Sequence, residues 1–297
     1  MNSGNNRILA SGKSTFDTHK GEKMTIVTIS RFTMTGGREL AECVSERLGI
    51  PSLSREVIAH VADQFGISEE ALWEKLSQTK QGAQERYLYL CALQLSLAER
   101  AQKGPFVYHG LAGHFLMRGI PQILKVGIVA PLKQRAETFM KRKNVGFAEA
   151  VRSIERWDEM RRKWVRFLYR VDWLDPSLYD MVINIGSIGV QSACDLVIFT
   201  MDREEFKELP ERQGMIDEFA LAAKVQLQLA LHDRTKGLEL KVRAERQTVT
   251  IRGRVLTSGI FRWGGKRDYP QRYYRSCQSC SRRAERGGRP GRDDRSS

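Results

Sequence analysis

A strand, a tight glycine turn and an amphipathic helix follow one another in the segment MTIVTISRFTMTGGRELAECVSERLGI, residues 24–50. The run MTIVTIS is β-branched and apolar, as is typical of a buried parallel strand. In the helical run that follows, the apolar side chains fall on one face: Leu40, Cys43, Val44, Leu48. This order favours an α/β fold in which the turn at the helix start can hold a phosphate group.

Further strands and helices alternate along the chain. PFVY, ILKVGIV and YDMVINI read as strands, and helical patterns separate them. Such alternation predicts a parallel α/β sheet with right-handed crossovers. Beyond about residue 201 the pattern changes to one helix and a period-two hairpin, GLELKVRAERQTVTIRGRVL. We expect four parts: a disordered lead at 1–23, an α/β domain at 24–202, a helix–hairpin unit at 203–258 and a disordered tail at 259–297.

The charge is concentrated at the carboxyl terminus. The net charge is +14, and residues 262–297 contain eleven Lys or Arg against four acids. This tail could bind polyanions without specificity, and nucleic-acid binding has only its charge in support. No signal peptide or membrane span is expected, so the cytoplasm is the predicted location. The sequence names no protein partner.

The five cysteines indicate no disulfide framework. Cys43, Cys91 and Cys194 lie in apolar periodic segments, which predicts buried free thiols. Cys277 and Cys280 have the spacing of metal ligands, but zinc requires four ligands and no second pair follows. No metal site is therefore assigned to side chains of this chain.

Two segments look like phosphate-binding loops. ASGKST, residues 10–15, has the end of a Walker A motif, but position 7 is Arg where the first glycine belongs, and no strand precedes it. The turn containing Gly36 and Gly37 follows a strand and opens a helix, with Arg38 beside it. Its backbone amides could hold phosphate, while an ordinary strand-to-helix turn explains the glycines equally well.

A second candidate for phosphate binding is the helical segment around RSIERWDEMRRKW, residues 152–164. Arg156, Arg161, Arg162 and Arg166 crowd it, and like charges at such spacing cost stability. Arginines that clamp a transferring phosphoryl group are one explanation. A solvated charged face is the other, and the sequence leaves both open.

An ordered set of motifs resembles the cytidylate kinase-like family of P-loop nucleoside monophosphate kinases. The matching stretches are ISRFTMTGGRELA, LGIPSLSREVI, HGLAGHFLMRG, APLKQRAETFMKR, WDEMRR and DPSLYDMVIN. They cover residues from about 24 to 200 in the family's order and spacing. The resemblance implies a three-layer P-loop NTPase-type fold. It also implies transfer of the γ-phosphoryl group of ATP, with Mg²⁺, to CMP or a related nucleotide.

The resemblance also implies roles for individual residues. The donor phosphates would be held by Thr35, Gly36, Gly37, Arg38 and Glu39. Arg38 would replace the usual lysine, and as a permanently charged fork it can clamp phosphate. The transferred group would be surrounded by arginines that Asp158 orients: Arg135, Arg142, Arg161, Arg162. The acceptor nucleotide would face Ser54, Arg55 and the loop at Gly110.

Three positions depart from the family pattern. Met34 replaces the first loop glycine, Ser54 an acidic residue, and Leu111 the arginine of the GRGA motif. Each change removes flexibility or polarity from a position that would face a ligand. They motivate an alternative function, a catalytically impaired pseudokinase that binds a nucleotide or a protein partner. Residues 217–255 also resemble the first part of a BON domain, although a plain helix–hairpin unit explains them equally well.

Overall fold

A computed structural model describes residues 26–31, 33–77, 82–110, 112–207, 209–238 and 240–253. Several sequence-based predictions therefore lie outside the described residues. These are the disordered lead and tail, the ASGKST segment, the departure at Leu111 and the pair Cys277 and Cys280. Within the described residues, no helix is long and apolar enough to span a membrane.

The core of the molecule is a five-stranded parallel sheet in the order β2-β3-β1-β4-β5. Its strands are β1 (Ile26–Arg31), β2 (Ser52–Leu53), β3 (Val107–Tyr108), β4 (Ile123–Val129) and β5 (Met181–Asn184). All four strand pairs are parallel, so the prediction of a P-loop NTPase-type α/β fold is confirmed. The phosphate-loop candidate follows β1, the central strand.

Helices cover both faces of the sheet. They are α1 (Gly37–Leu48), α2 (Arg55–Gln64), α3 (Glu69–Ser77), α4 (Ala83–Gln102), α5 (Gly113–Leu116), α6 (Leu132–Lys143), α7 (Phe147–Tyr169), α8 (Val190–Met201) and α9 (Arg212–Leu231). Strand β1 alternates between two hydrophobic clusters, because successive side chains of a strand point to opposite faces. Val27 and Ile29 pack in the cluster with α1 and α8, whereas Ile26 packs in the cluster with α2, α3 and α4.

Helix α9 and a hairpin follow the sheet. Ile216 and Leu227 of α9 share a hydrophobic cluster with Leu93 and Leu97 of α4. Strands β6 (Lys241–Glu245) and β7 (Thr248–Arg252) then pair antiparallel. The side-chain hydroxyl of Tyr87 in α4 donates to the carbonyl of residue 240, just before β6. The helix thus packs directly on the sheet domain, while the domain boundary at 202 and the BON-like resemblance stay predictions.

The thiols at Cys43, Cys91 and Cys194 are free. Cys91 and Cys194 are buried, and burial raises the pKa of the Cys91 thiol to about 11. Cys43 is half-buried, contrary to the expectation of a fully buried thiol, because it packs at the margin of the cluster formed by α1 and α8.

The β6–β7 turn predicts a stabilising substitution. Arg246 (φ 47°) and Gln247 (φ 61°) both occupy the left-handed region, which side chains adopt at a cost of about 1 kcal/mol and glycine adopts freely. Gln247→Gly is expected to raise the thermal unfolding midpoint by about 2–4 °C. As the control, Thr248→Gly alters an adjacent strand residue and should lower that midpoint. A lower midpoint for Gln247→Gly would contradict the strain argument.

Candidate active site

The loop between β1 and α1 has the geometry of an anion-binding turn. Gly36 caps α1 in the left-handed conformation (φ 76°), and Gly37 is the first helical residue. The first N–H groups of an α-helix have no carbonyl partners within that helix, and the helix dipole places positive potential there. Glycines at the helix start leave this end open to a phosphate group.

Met34 also occupies the left-handed region, with φ 60°. Its side chain packs against the cluster that α6 and α7 form with Ala136, Phe139, Ala150 and Ile154. The backbone at this position therefore has a conformation typical of glycine, the residue of the family motif. The methionine side chain adds a contact between the loop and the two helices.

A hydrogen-bonded ring attaches the loop to α6 and α7. The Thr33 N–H donates to Asp158 Oδ1 at 3.1 Å, and Arg135 Nε donates to the Thr33 carbonyl at 2.8 Å. Arg135 Nη2 donates to Asp158 Oδ2, which closes the ring. The side chains of Arg135 and Asp158 are only 9% and 19% exposed. Asp158 thus orients both an arginine and the loop backbone.

Three other candidate arginines bond to carboxylates. Arg38 Nε donates to Glu42 Oε1 at 2.7 Å, and this contact raises the pKa of Arg38. Arg142 donates to Glu39, and Arg162 Nη2 donates to Asp172 Oδ2 at 2.8 Å. These pairs lie on the surface, where solvent screens an ion pair and its contribution to stability is small. A phosphate group can therefore replace the carboxylates at small cost.

Two neighbouring cavities share one arginine. A cavity of about 280 Å³ is lined by Arg135, Asp158, Arg161 and Arg162, among others. A cleft of about 830 Å³ is lined by Ser54, Arg55, Gly110 and Arg161, among others. Arg161 thus borders both spaces, and its guanidinium lies 5.8 Å from the ring centroid of Trp173.

The loop candidates are placed apart from those two spaces. Thr35, Gly36, Gly37 and Arg38 line neither cavity, and Glu39 and Arg142 meet each other outside both. The sequence-predicted residues therefore form three groups. One is the loop, one the small cavity and one the cleft.

The acceptor-side candidates have defined local contacts. The Ser54 N–H donates to Glu56 Oε2 at 2.7 Å, and Arg55 Nη2 donates to Glu69 Oε2 at 2.9 Å. A Cβ atom on Gly110 would lie 2.4 Å from the ring of Tyr108, which is almost completely buried. Glycine is required at this position because the Tyr108 ring occupies the space beneath the loop.

Sequence reasoning did not find the side chains that form most of the cleft surface. These include four tryptophans and the pair Ser30 and His114. Ser30 Oγ and His114 Nδ1 lie 2.8 Å apart, and both residues are less than 9% exposed. Their clustering depends on tertiary contacts, so no local sequence signal reveals it.

The burial of His114 predicts a pH-dependent stability. Burial lowers the pKa of His114 to about 3, below the value of about 6.5 for an unfolded histidine. Between these values the unfolded chain binds more protons, so the free energy of unfolding falls as pH drops from 6.5, by up to about 1.4 kcal/mol per pH unit. Urea unfolding at several pH values between 7 and 5 gives the free energy of unfolding as a function of pH. This free energy should change less steeply with pH for His114→Gln than for the wild type. His60→Gln, at an exposed histidine, is the control, and equal slopes for all three proteins would refute the effect.

The described residues around the loop form no preformed metal site. In the ranges that the structure describes, no three His, Cys, Asp or Glu side chains come together as metal ligands. Asp158, which bonds the loop backbone, and Glu39, in the first turn of α1, are both bonded to arginines. Mg²⁺ in phosphoryl-transfer sites is commonly held by substrate phosphates and waters with one or two carboxylates. These residues thus provide no dedicated cage for Mg²⁺.

Most of the α/β domain is similar in sequence to known proteins. Residues 26–187 match the sequence model of the cytidylate kinase-like family. The cytidylate kinase of Methanocaldococcus jannaschii is 26% identical over 180 residues, which span 60% of this chain and 97% of that protein. The cytidylate kinase of Methanothrix thermoacetophila is 31% identical over 163 residues, which span 54% of this chain and 88% of that protein.

Similarity to a solved structure extends to the fold. An uncharacterized protein from Eubacterium ventriosum superimposes with a TM-score of 0.50 at 23% sequence identity, covering 61% of this chain and 99% of its own. The family match includes β1, the glycine loop, the basic helices and β5, which is more than half of the sequence. The chain belongs to the cytidylate kinase-like family.

Proposed function

We propose that this protein transfers the γ-phosphoryl group of ATP to a nucleoside monophosphate, CMP or a related nucleotide. The observation that carries the proposal is the position of Arg161, which borders both a small cavity and a large cleft. Three arginines and three acids line the small cavity, and two of these residues, Arg135 and Asp158, bond the loop backbone at Thr33. Arg161 can therefore contact a phosphoryl group as it passes from donor to acceptor. The relatives named cytidylate kinase support CMP as an acceptor.

The donor side is assigned to the glycine loop. When bound, ATP would supply the phosphoryl group, and Mg²⁺ would neutralise part of the phosphate charge. The amides at Gly36 and Gly37 would bind donor phosphate oxygens, and Arg38 would exchange its Glu42 contact for phosphate. Asp158 is a positioning residue, because it holds Arg135 and the loop backbone at Thr33.

The transfer step is assigned to arginines. Phosphoryl transfer requires mainly positioning and neutralisation of charge, so fixed guanidinium groups can perform it. Arg161 and Arg162 would contact the transferred group, and Arg142 would leave Glu39 to join them. Ser54, Arg55 and the loop at Gly110 would hold the acceptor in the cleft. We further propose a cytoplasmic location, as is usual for nucleotide metabolism.

A pseudokinase is the second candidate function. Its support is that Arg38, Arg142 and Arg162 each bond to a carboxylate. If these ion pairs persist, the protein would bind a nucleotide or a partner without turnover. The two functions differ in whether phosphate displaces the carboxylates.

An assay of products separates the two candidates. Purified protein with Mg²⁺ and ATP is offered CMP, dCMP or UMP, and nucleoside diphosphate is measured. The kinase proposal predicts turnover that is lost in Arg38→Ala. ATP-dependent thermal stabilisation without turnover would support the pseudokinase. Absence of both turnover and stabilisation would eliminate a nucleotide function.

A further inference from the structure

The cleft concentrates tryptophan. All four tryptophans in the described ranges line it, and they come from three parts of the chain: Trp73 of α3, Trp157 and Trp164 of α7, and Trp173 beyond α7. Phe115 adds a fifth aromatic ring. Four of the five tryptophans in the chain thus lie around one cleft, where their aromatic faces can contact a planar ring.

The tryptophans of the cleft differ in exposure: Trp164 is buried, whereas Trp73 and Trp157 are partly exposed. The indole N–H of the buried Trp164 donates to the carbonyl of Leu76 at 2.5 Å and so connects α7 to α3. Trp73 on α3 is 36% exposed, and Trp157 on α7 is 38% exposed. These two indoles are therefore available to a ligand, whereas Trp164 is structural. A volume of about 830 Å³ is in the range of small-molecule sites.

The charged groups of the cleft are all cationic. Arg55, Arg161 and Lys163 line it, and no Asp or Glu is among the described residues that do. Arg55 pairs with Glu69 and Lys163 with Glu159, and both acids lie outside the lining. An anionic ligand with an apolar body suits this lining. Among the described lining residues, no carboxylate can accept a hydrogen bond from the exocyclic amine of cytosine. Serine hydroxyls, which both donate and accept, discriminate weakly between bases.

We propose that the cleft selects its nucleoside monophosphate by stacking on Trp73 and Trp157, so that affinity rises with base size and purine monophosphates bind more tightly than CMP. This inference rests on the proposed function, because it assigns the cleft to the acceptor. Stacking is sequence-tolerant since every base has a π face, and a purine offers a larger face than a pyrimidine. CMP remains an acceptor, with lower affinity.

The test is a binding titration without ATP. AMP, GMP, CMP, UMP and ribose 5-phosphate are titrated into the full chain by calorimetry, with tryptophan fluorescence as a second signal. AMP and GMP are expected to bind about fivefold or more tightly than CMP and UMP, and ribose 5-phosphate most weakly. Purine binding should quench tryptophan fluorescence.

Variants identify the stacking residues. Trp157→Ala and Trp73→Ala are each expected to weaken AMP binding about fivefold or more and to narrow the ratio between AMP and CMP. Two variants are needed because Trp157 also contacts Phe139, with ring centroids 5.6 Å apart, so its loss could disturb α6 and α7. Phe147→Ala is the matched control, since this exposed aromatic residue of α7 does not line the cleft and should leave affinities unchanged.

Three results would overturn the inference. They are tighter binding of CMP than of AMP, unchanged affinities in both tryptophan variants, and no binding of any nucleotide. Purine-selective binding without diphosphate formation would reject the proposed kinase reaction and leave the stacking cleft standing. Diphosphate formation with preferential binding of CMP would reject the stacking cleft alone.

Discussion

Replacing Arg161 by alanine is expected to lower the rate of nucleoside diphosphate formation about a thousandfold. Arg161 borders both the small cavity and the cleft, so its guanidinium can contact the phosphoryl group between donor and acceptor. Arginines that stabilise the charge of a transferring phosphoryl group contribute about 10³- to 10⁵-fold in rate. We expect the lower end of this range because Arg162 lines the same small cavity as Arg161 and can supply part of the lost positive charge.

The rate effect is measured with saturating ATP and acceptor, so that weaker binding does not imitate slower transfer. Arg161→Lys keeps the charge and loses the planar fork, so its activity should lie between those of the wild type and the alanine variant. Arg156→Ala is the control, because this exposed arginine of the same helix lines neither cavity. Activity of Arg161→Ala within threefold of wild type would contradict the assigned role.

Replacing Asp158 by alanine is expected to reduce the free energy of unfolding by about 3 kcal/mol. The substitution leaves the buried guanidinium of Arg135 without its carboxylate partner. It also leaves the Thr33 N–H without the oxygen that accepts its hydrogen bond. Breaking a buried ion pair by deleting one partner costs about 3–5 kcal/mol. Since Asp158 is 19% exposed, the lower end of that range applies. Urea unfolding measures the change.

The adjacent residue provides the matched control for Asp158. Glu159 forms an exposed ion pair with Lys163 at 3.5 Å, so Glu159→Ala should change stability by less than about 0.5 kcal/mol. Asp158→Ala should also lower phosphoryl transfer, because the loop and Arg135 lose their common support. Equal stability of the two variants would show that the ring around Thr33 contributes little.

Local sequence patterns carry much of the fold. The strand, turn and helix from β1 to α1 are predictable because their periodicity and glycines act over a few residues, and Gly49 ends α1 with φ 65° as expected of a helix stop. Two elements were missed. Strand β2 has only two residues, too few for a periodic signal. Helix α8 begins at Val190, after the turn GSIG that follows the YDMVINI segment, and no helix was predicted there.

The site was less predictable because its partners are distant in sequence. The motifs identified Asp158 and Arg135 as candidates, but the bond of Asp158 to the Thr33 backbone spans 125 residues. Likewise, the pairing of Arg142 with Glu39 spans 103 residues. Whether an arginine is available to phosphate or pairs with a carboxylate depends on such tertiary neighbours. Sequence periodicity and composition do not predict them.

The effect of Met34 was judged differently from the sequence and from the structure. The sequence suggested that replacing the family's glycine removes flexibility from a loop position that would face a ligand. The structure places the methionine side chain against α6 and α7, with the backbone in the left-handed conformation at φ 60°. The methionine therefore leaves the glycine-like path of the loop intact, which favours the kinase over the pseudokinase.

Transfer of a labelled phosphoryl group tests the central claim most directly. The protein is incubated with Mg²⁺, CMP and ATP labelled in the γ-phosphoryl group, and the products are separated. The kinase proposal predicts label in CDP, formed in equal amount with unlabelled ADP. Label that stays in ATP or appears only in inorganic phosphate, with folded protein and each nucleoside monophosphate offered in turn, would contradict it.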